Sequence, residues 1–256
     1  MDFLWILTIF VLGLVGSFVS GMLGIGGAII KFPLLLYVPP LLGFTAFTSH
    51  EVSGISAVEV MFASLAGVLA YKNGSLLNKP LIITMGSGVV IGSFIGSFAS
   101  SSFSETSVNM VYGVLAIIAA VMMFIPKKKV EDQADILFNK PLAFSLAIIV
   151  GLASGIVGAG GGFILVPIML VVLGIPTRVT IASSLAITLL ASIGGSIGKI
   201  STGQVEWLPT IIMIIASLIA APIGAKVSKK LNIKILQVFL AILILATAIK
   251  IWMDIL

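Results

Sequence analysis

Charge is what this sequence has least of. Only 9% of its 256 residues are charged, and 59% are hydrophobic. A soluble domain carries roughly a quarter charged residues and about half apolar ones. That imbalance excludes a water-soluble globule and predicts an all-α, polytopic membrane protein whose main partner is the lipid bilayer. Cysteine is absent, which excludes a disulfide framework and thiol chemistry. No Lys or Arg precedes the first apolar run, and Asp2 does. A cleavable signal wants a basic start and a small-residue cleavage site, so residues 1–20 read as a retained segment. The net charge of +5 comes from bases at segment ends and in short loops. That is the pattern of cytoplasmic loops and not of a nucleic-acid partner.

Apolar runs between polar breaks give about ten helical pieces, near 3–20, 27–42, 46–70, 81–99, 107–125, 142–156, 161–174, 179–198, 208–225 and 233–252. Four look short: 3–20 and 27–42, then 142–156 and 161–174. A helix of about 15 residues is roughly 23 Å long, less than the roughly 30 Å hydrocarbon core. Lys72 and Lys79, then Lys127, Lys128 and Lys129, then Lys226, Lys229, Lys230 and Lys234 mark three basic loops. With all three inside, parity requires each short pair to cross twice or not at all. Crossing not at all makes a re-entrant hairpin. Either way both termini fall outside.

Between the short pieces lie two glycine knots, "GMLGIGGAIIKFP" from Gly21 and "GIVGAGGGFILVP" from Gly155. Gly21, Gly24, Gly26, Gly27, Ala28 and Pro33 align with Gly155, Gly158, Gly160, Gly161, Gly162 and Pro167. Further on, "TAFTSHEVSG" finds a weaker counterpart in "VTIASSLAIT", which puts Thr48-Ser49 over Ser183-Ser184. "GVVIGSFIGSF" likewise resembles "IASLIAAPIGA". The chain therefore reads as two homologous repeats, 1–126 and 141–256, joined by a charged cytoplasmic linker, 127–140. Five pieces per repeat is an odd number, so the repeats face the membrane in opposite senses. Inverted repeats with interrupted helices at matching positions point to a secondary transporter, with its site where the interruptions meet near the midplane.

A glycine tip ends one short helix and starts the next, whose first N–H groups and positive dipole end need a partner. Two such tips aimed at one volume make an anion site from backbone. Lys31 adds a charge on one side only, since its aligned position is Leu165. Close helix packing is the plainer use of membrane glycines, and Gly88, Gly92 and Gly96 carry that spacing too. Neither knot has the G-x-G-x-x-G spacing of a dinucleotide fingerprint. Ionisable residues at membrane depth are functional candidates. Here they are His50, Glu51 and Glu59, with Arg178 and Lys199 expected at interfaces. Glu51 and Glu59 are candidates to carry a coupling ion, and Glu59 has the alternative of pairing with Lys31.

The doubled G-x-x-G-x-G-G-[AG]-x-x-x-x-P knots, the Ser/Thr pairs that follow and the two-half layout resemble the TauE/SafE sulfite exporter family, also described as toluene-sulfonate uptake permeases. The resemblance covers the whole chain. It implies transport of small sulfur-containing anions such as sulfite, sulfonates, sulfoacetate or thiosulfate across the cytoplasmic (inner) membrane of a prokaryote. It implies a substrate site at Gly26, Gly27, Ala28, Thr48 and Ser49 in the first half, and at Gly160, Gly161, Gly162, Ser183 and Ser184 in the second. His50 and Lys31 join it from the residue reading. Ala28 departs from the glycine of the second knot, and Lys31 stands where the motif is apolar, which points to a more strongly charged anion.

No cofactor, metal or catalytic residue is expected, and no nucleotide-binding motif offers ATP coupling. A homodimer would be unsurprising for so small a transporter. An anion channel of the same architecture is the alternative, distinguished by continuous turnover where a transporter saturates. A remoter one is an intramembrane serine hydrolase using Ser154 and His50. Ser154 precedes its knot, however, and reads as having no matching serine motif in the first half. Between the two intramembrane lysines, Lys31 is expected to carry anion affinity and Lys199 to end its helix at the interface.

Overall fold

The tripeptide Asn-Lys-Pro occurs twice, at 78–80 and 139–141, and each copy opens a long helix. A computed structural model describes residues 3–26, 28–71, 76–125 and 137–232, with isolated positions beyond 232. Its helices are α1 (Phe3–Leu23), α2 (Ala28–Leu41), α3 (Ser49–Tyr71), α4 (Lys79–Ala99), α5 (Glu105–Phe124) and α6 (Lys140–Val157). There follow α7 (Gly162–Pro167), continued by a π-helical turn at Ile168–Val172, then α8 (Thr177–Ser201) and α9 (Trp207–Lys230). No strand occurs among the described residues. In each Asn-Lys-Pro the asparagine Oδ1 accepts an amide three residues on, from Leu81 at 2.9 Å and from Leu142 at 3.0 Å. The proline sits in the first turn, where a missing N–H costs nothing.

Among the described residues, seven helices are long and apolar enough to cross a membrane: α1, α3, α4, α5, α6, α8 and α9. The first nine expected pieces each correspond to one helix, and the tenth, 233–252, falls largely outside the described residues. α1 has 21 residues and α6 has 18, so only α2 and α7 are short limbs. The glycines near the ends of α1 and α6 stay helical because other helices press onto them. Gly21 lies on the Ala221 backbone, and Gly155 on the Ser93 backbone.

Those two contacts are one contact with its partners exchanged, and the pattern repeats. Gly224 of α9 lies on the Phe18 carbonyl of α1, and Gly96 of α4 lies on the Leu152 carbonyl of α6. A methyl group at either glycine would run into backbone, so these helices approach as closely as chains can. The same contacts give direction. Along α4, Gly88 meets Phe144 and Gly96 meets Leu152, while Ser93 and Ser97 meet Gly194 and Gly198. Thus α4, α6 and α8 run parallel. Along α9, Ala216 meets Gly13 and Gly224 approaches Met22, while Ala221 packs with Ala63 and Ala66 of α3. Tyr71 Oη donates to the Ala225 carbonyl at 3.4 Å. Thus α1, α3 and α9 run parallel. With α1 parallel to α3, α2 must return the chain to the end where α1 began, and α7 does the same after α6. Neither knot interrupts a single spanning helix.

Charge sorts by end. Lys79, Lys140, Arg178, Lys226, Lys229 and Lys230 lie where α4, α6 and α8 begin and α3 and α9 finish. Glu51, Glu105 and Glu206 lie at the opposite end, where α3, α5 and α9 start. The positive-inside rule puts the basic end in the cytoplasm. Lys72, Lys127, Lys128, Lys129 and Lys234 fall outside the described residues.

Candidate functional site

The knots turn on glycines in the left-handed region, at Gly24 (φ 74°) and Gly26 (φ 72°) in the first, and Gly158 (φ 73°), Gly160 (φ 62°) and Gly161 (φ 73°) in the second. A side chain is strained there and glycine is not. The two turns meet. Gly26 and Gly160 both face the Thr188 methyl of α8 and the Val60 side chain of α3. Gly162 faces the Ile25 carbonyl of the first knot and the Thr188 hydroxyl. Val60 and Thr188 sit near the middles of their helices, so the crossing is at the middle of the bundle. In the second knot Ile164 and Leu165 amides donate to the Gly161 carbonyl at 3.1 and 2.9 Å. The Gly162 and Phe163 amides at the head of that helix are left without a helical acceptor. Gly27 lies outside the described residues, and Ala28 opens α2.

Three hydroxyls around the knots are fully buried and have no hydrogen-bond partner: Ser20, Ser56 and Thr188. Orphaned buried polar groups are rare and costly, and in a bilayer no bulk water relieves them. Ser20 aligns with Ser154 one residue before each knot's first glycine, so the serine at Ser154 does have a first-half match. Ser154 Oγ donates to the Gly151 carbonyl at 3.1 Å, and both His50 ring nitrogens face other partners, so no serine–histidine dyad forms.

The register of the repeat differs from the alignment read in sequence. Knot positions pair at an offset of 134, as Gly24 with Gly158, but α3 and α8 pair at 128, as Ser49 with Thr177. Exchanged contacts carry this: Gly24 lies on Ile181, Gly158 lies on Ser53, and both knots share Val60 and Thr188. Ser184 therefore matches Ser56, not Ser49. Ser184 Oγ donates to the Gly24 carbonyl at 2.6 Å and so touches the first knot. Ser183 Oγ instead accepts the Asn78 amide at 3.0 Å and ties down the loop before α4.

Lys31 and Glu59 are each fully buried, with Lys31 Nζ donating to Glu59 Oε1 at 2.6 Å and Oε2 at 2.5 Å. Ser17 Oγ adds a hydrogen bond to Oε1 at 3.0 Å. The pair joins α2 to α3 beside Val60, next to the crossing. Lys31 is thus not the free cation that its sequence position promised, because Glu59 neutralises it. The matched positions in the second half are Leu165 and Ile187.

The remaining candidates gather at the acidic end. Thr48 and Glu51 form a capping box, the Thr48 amide donating to Glu51 Oε2 at 2.8 Å and the Glu51 amide to Thr48 Oγ1 at 3.2 Å. Ser49 donates its amide to Glu105 Oε2 at 3.3 Å. Glu51 also lines an open cavity of about 650 Å³ with Trp5, Phe44, Phe47 and Glu206. Glu51→Ala is expected to cost about 1 kcal/mol of stability through the lost cap, read as a fall in melting temperature. Lys199 does not end its helix at an interface; it is fully buried, and its ammonium donates to Ser100 Oγ (2.7 Å), the Ile156 carbonyl (2.9 Å) and Gln204 Oε1 (2.8 Å).

Residues 9–251 match the family model described as "Sulfite exporter TauE/SafE". The chain is 26% identical to the "Probable membrane transporter protein YunE" of Bacillus subtilis, over 92% of this chain and 93% of that one. It is 30% identical to a "Probable membrane transporter protein" of Xylella fastidiosa, over 86% and 83%. It is 26% identical to the "Probable membrane transporter protein MJ0441" of Methanocaldococcus jannaschii, over 91% and 88%. No solved structure is a significant match. With such relatives and seven span-length helices, this is a multi-pass membrane transporter of the prokaryotic cytoplasmic membrane.

Proposed function

Because the chain belongs to the TauE/SafE sulfite exporter family, we propose that it is a secondary transporter that exports small sulfur-containing anions such as sulfite, sulfoacetate and other sulfonates. The observation that carries this reading is the meeting of two glycine turns at Val60 and Thr188, where the buried Thr188 hydroxyl has no partner. An oxyanion at the crossing accepts from Thr188 and from the amides at the head of α7. Glycine is needed there so that backbone can reach the ligand. The exchanged contacts support two inverted repeats, 1–126 and 141–256, that rock about this crossing in alternating access. Both knots belong to one chain, so the site is complete without a second copy.

In this reading Glu59 is the coupling group, and Glu51 is a helix cap. While Glu59 is ionised it holds Lys31, and the pair is neutral. When Glu59 takes a proton, the Lys31 ammonium loses its partner and serves the anion instead, so proton and anion share one occluded state. Exchange of that kind keeps the net charge of the buried site low at each step, as a low-dielectric interior requires.

The test is thermal stability of the purified protein against sulfite, sulfate, thiosulfate, sulfoacetate, taurine and acetate. A ligand at a hundred times its dissociation constant stabilises by about 2.7 kcal/mol. A shift with sulfur oxyanions and none with acetate is expected, and it should be reduced in Thr188→Val. Equal shifts for all anions, or a shift unaffected by Thr188→Val, count against the crossing as the site.

A further inference from the structure

The acidic end of the bundle holds two nitrogen donors aimed at one neutral oxygen. Gln204 Oε1, on the turn between α8 and α9, accepts from Lys199 Nζ at 2.8 Å and from His50 Nδ1 at 3.1 Å. The other ring nitrogen of His50 faces the Phe103 carbonyl at 3.0 Å. Both partners of the ring are carbonyl oxygens, so either ring nitrogen that carries a proton has an acceptor. The amide orientation is fixed. Gln204 Nε2 donates to Thr202 Oγ1 at 2.7 Å and to Ser100 Oγ at 3.3 Å, and turning the amide over would put its NH2 against the Lys199 ammonium. Ser100 does not add a strong donor, since its hydroxyl donates to the Ser97 carbonyl at 2.7 Å. It holds Lys199 in place.

The Lys199 ammonium and the His50 ring thus converge on one amide oxygen with no carboxylate paired to either. Glu59 pairs with Lys31, in the single ion pair among the described residues. Glu51 caps α3, Glu105 holds the Ser49 amide, and Glu206 lines the outer cavity. The Ile156 carbonyl at the end of α6 brings the negative end of a helix dipole, worth about half a charge, which leaves positive charge in excess. A buried cation in a membrane protein calls for a counter-ion. Lys199 is buried, but Gln204 and His50 above it are only partly so, and the Gln204 turn pivots on Gly203 at φ 70°.

The repeat itself supplies the comparison. At an offset of 128, Lys199 corresponds to Tyr71, His50 to Arg178, Ser100 to Ser228 and Gln204 to Leu76. Those four residues also share one site, at the basic end. There no buried cation and no amide plug occur, so this geometry does not require them.

We propose that Lys199 and His50 form an oxyanion-binding station at the outer end of the bundle, which Gln204 Oε1 fills until a tetrahedral or pyramidal sulfur oxyanion replaces it. The ligand class follows the proposed function, but the station does not use the glycine crossing. The experiment is binding of radiolabelled sulfate to the purified full-length protein at fixed ionic strength. Gln204→Leu, which removes the plug, should tighten sulfate binding at least tenfold. Gln204→Glu, which supplies a permanent carboxylate, should weaken it at least tenfold. Lys199→Met should erase the gain in a Gln204→Leu background. Thr188→Val should leave all of this intact, so a failed crossing and a failed station give different results. Sulfate affinity that is equal in wild type, Gln204→Leu and Gln204→Glu overturns the proposal.

Discussion

Lys31→Ala and Glu59→Ala should each destabilise the protein by about 3–5 kcal/mol, because each strands a buried charge. The double change Lys31→Leu with Glu59→Ile should recover that stability and still fail to couple transport to protons. The prescription comes from the protein itself. Leu165 and Ile187 occupy the matched positions in the second half, and Leu165 and Ile187 are buried there. The same local packing therefore tolerates an apolar pair, and replacing a buried ion pair by well-packed apolar residues is often neutral or stabilising. Stability alone gives no reason for the charges to stay. Melting temperatures of the four proteins, with uptake into proteoliposomes with and without a pH gradient, separate structure from coupling. A double variant that melts like wild type and still responds to the pH gradient would falsify the assignment of Glu59 as the coupling group. The order of effects also distinguishes this from a simple anion site at Lys31. A site lysine would lose binding on removal without being rescued by a change at Glu59.

Much of this was legible in the sequence. Low charge and repeated apolar runs place the nine helices of the described residues, because each run ends at glycine, proline or charge. The knots stand out because glycine and proline recur at the same spacing. The register after the knots was not legible, for a physical reason. The offset read from sequence, 135, differs from the structural 128 by seven residues, which is nearly two helical turns. Such a slip returns the same faces of α3 and α8 to the core, so apolar patterning cannot tell the two apart. It laid Thr48-Ser49 over Ser183-Ser184, where the helices pair Ser56 with Ser184. The charges were legible in part. Pairing with Lys31 was one of the two readings of Glu59, and it holds across 28 positions. Lys199 looked like an interfacial end-of-helix lysine because the Ile156 carbonyl and the Ser100 hydroxyl that hold it come from distant helices. The signal that was available is the match of Ser20 with Ser154, one residue before each knot.

Gly162→Ala should abolish transport while leaving the helices in place. Gly162 has ordinary helical geometry, outside the left-handed set, so alanine brings no backbone strain of its own. Its methyl would stand 2.5 Å from the Ile25 carbonyl and 2.6 Å from the Thr188 hydroxyl. Both are closer than carbon and oxygen tolerate, so the knots must part or the methyl must fill the space between them. Either result removes the volume in which an oxyanion meets Thr188 and the head of α7. Alanine at Gly195 is the control, because nothing lies within 4 Å of a methyl there. The measurement is counterflow of sulfite in proteoliposomes, with circular dichroism confirming helix content. Loss of counterflow in Gly162→Ala with full activity in Gly195→Ala fits a ligand between the knots. Full activity in both means that the crossing is only a packing contact, and the transported anion takes another route.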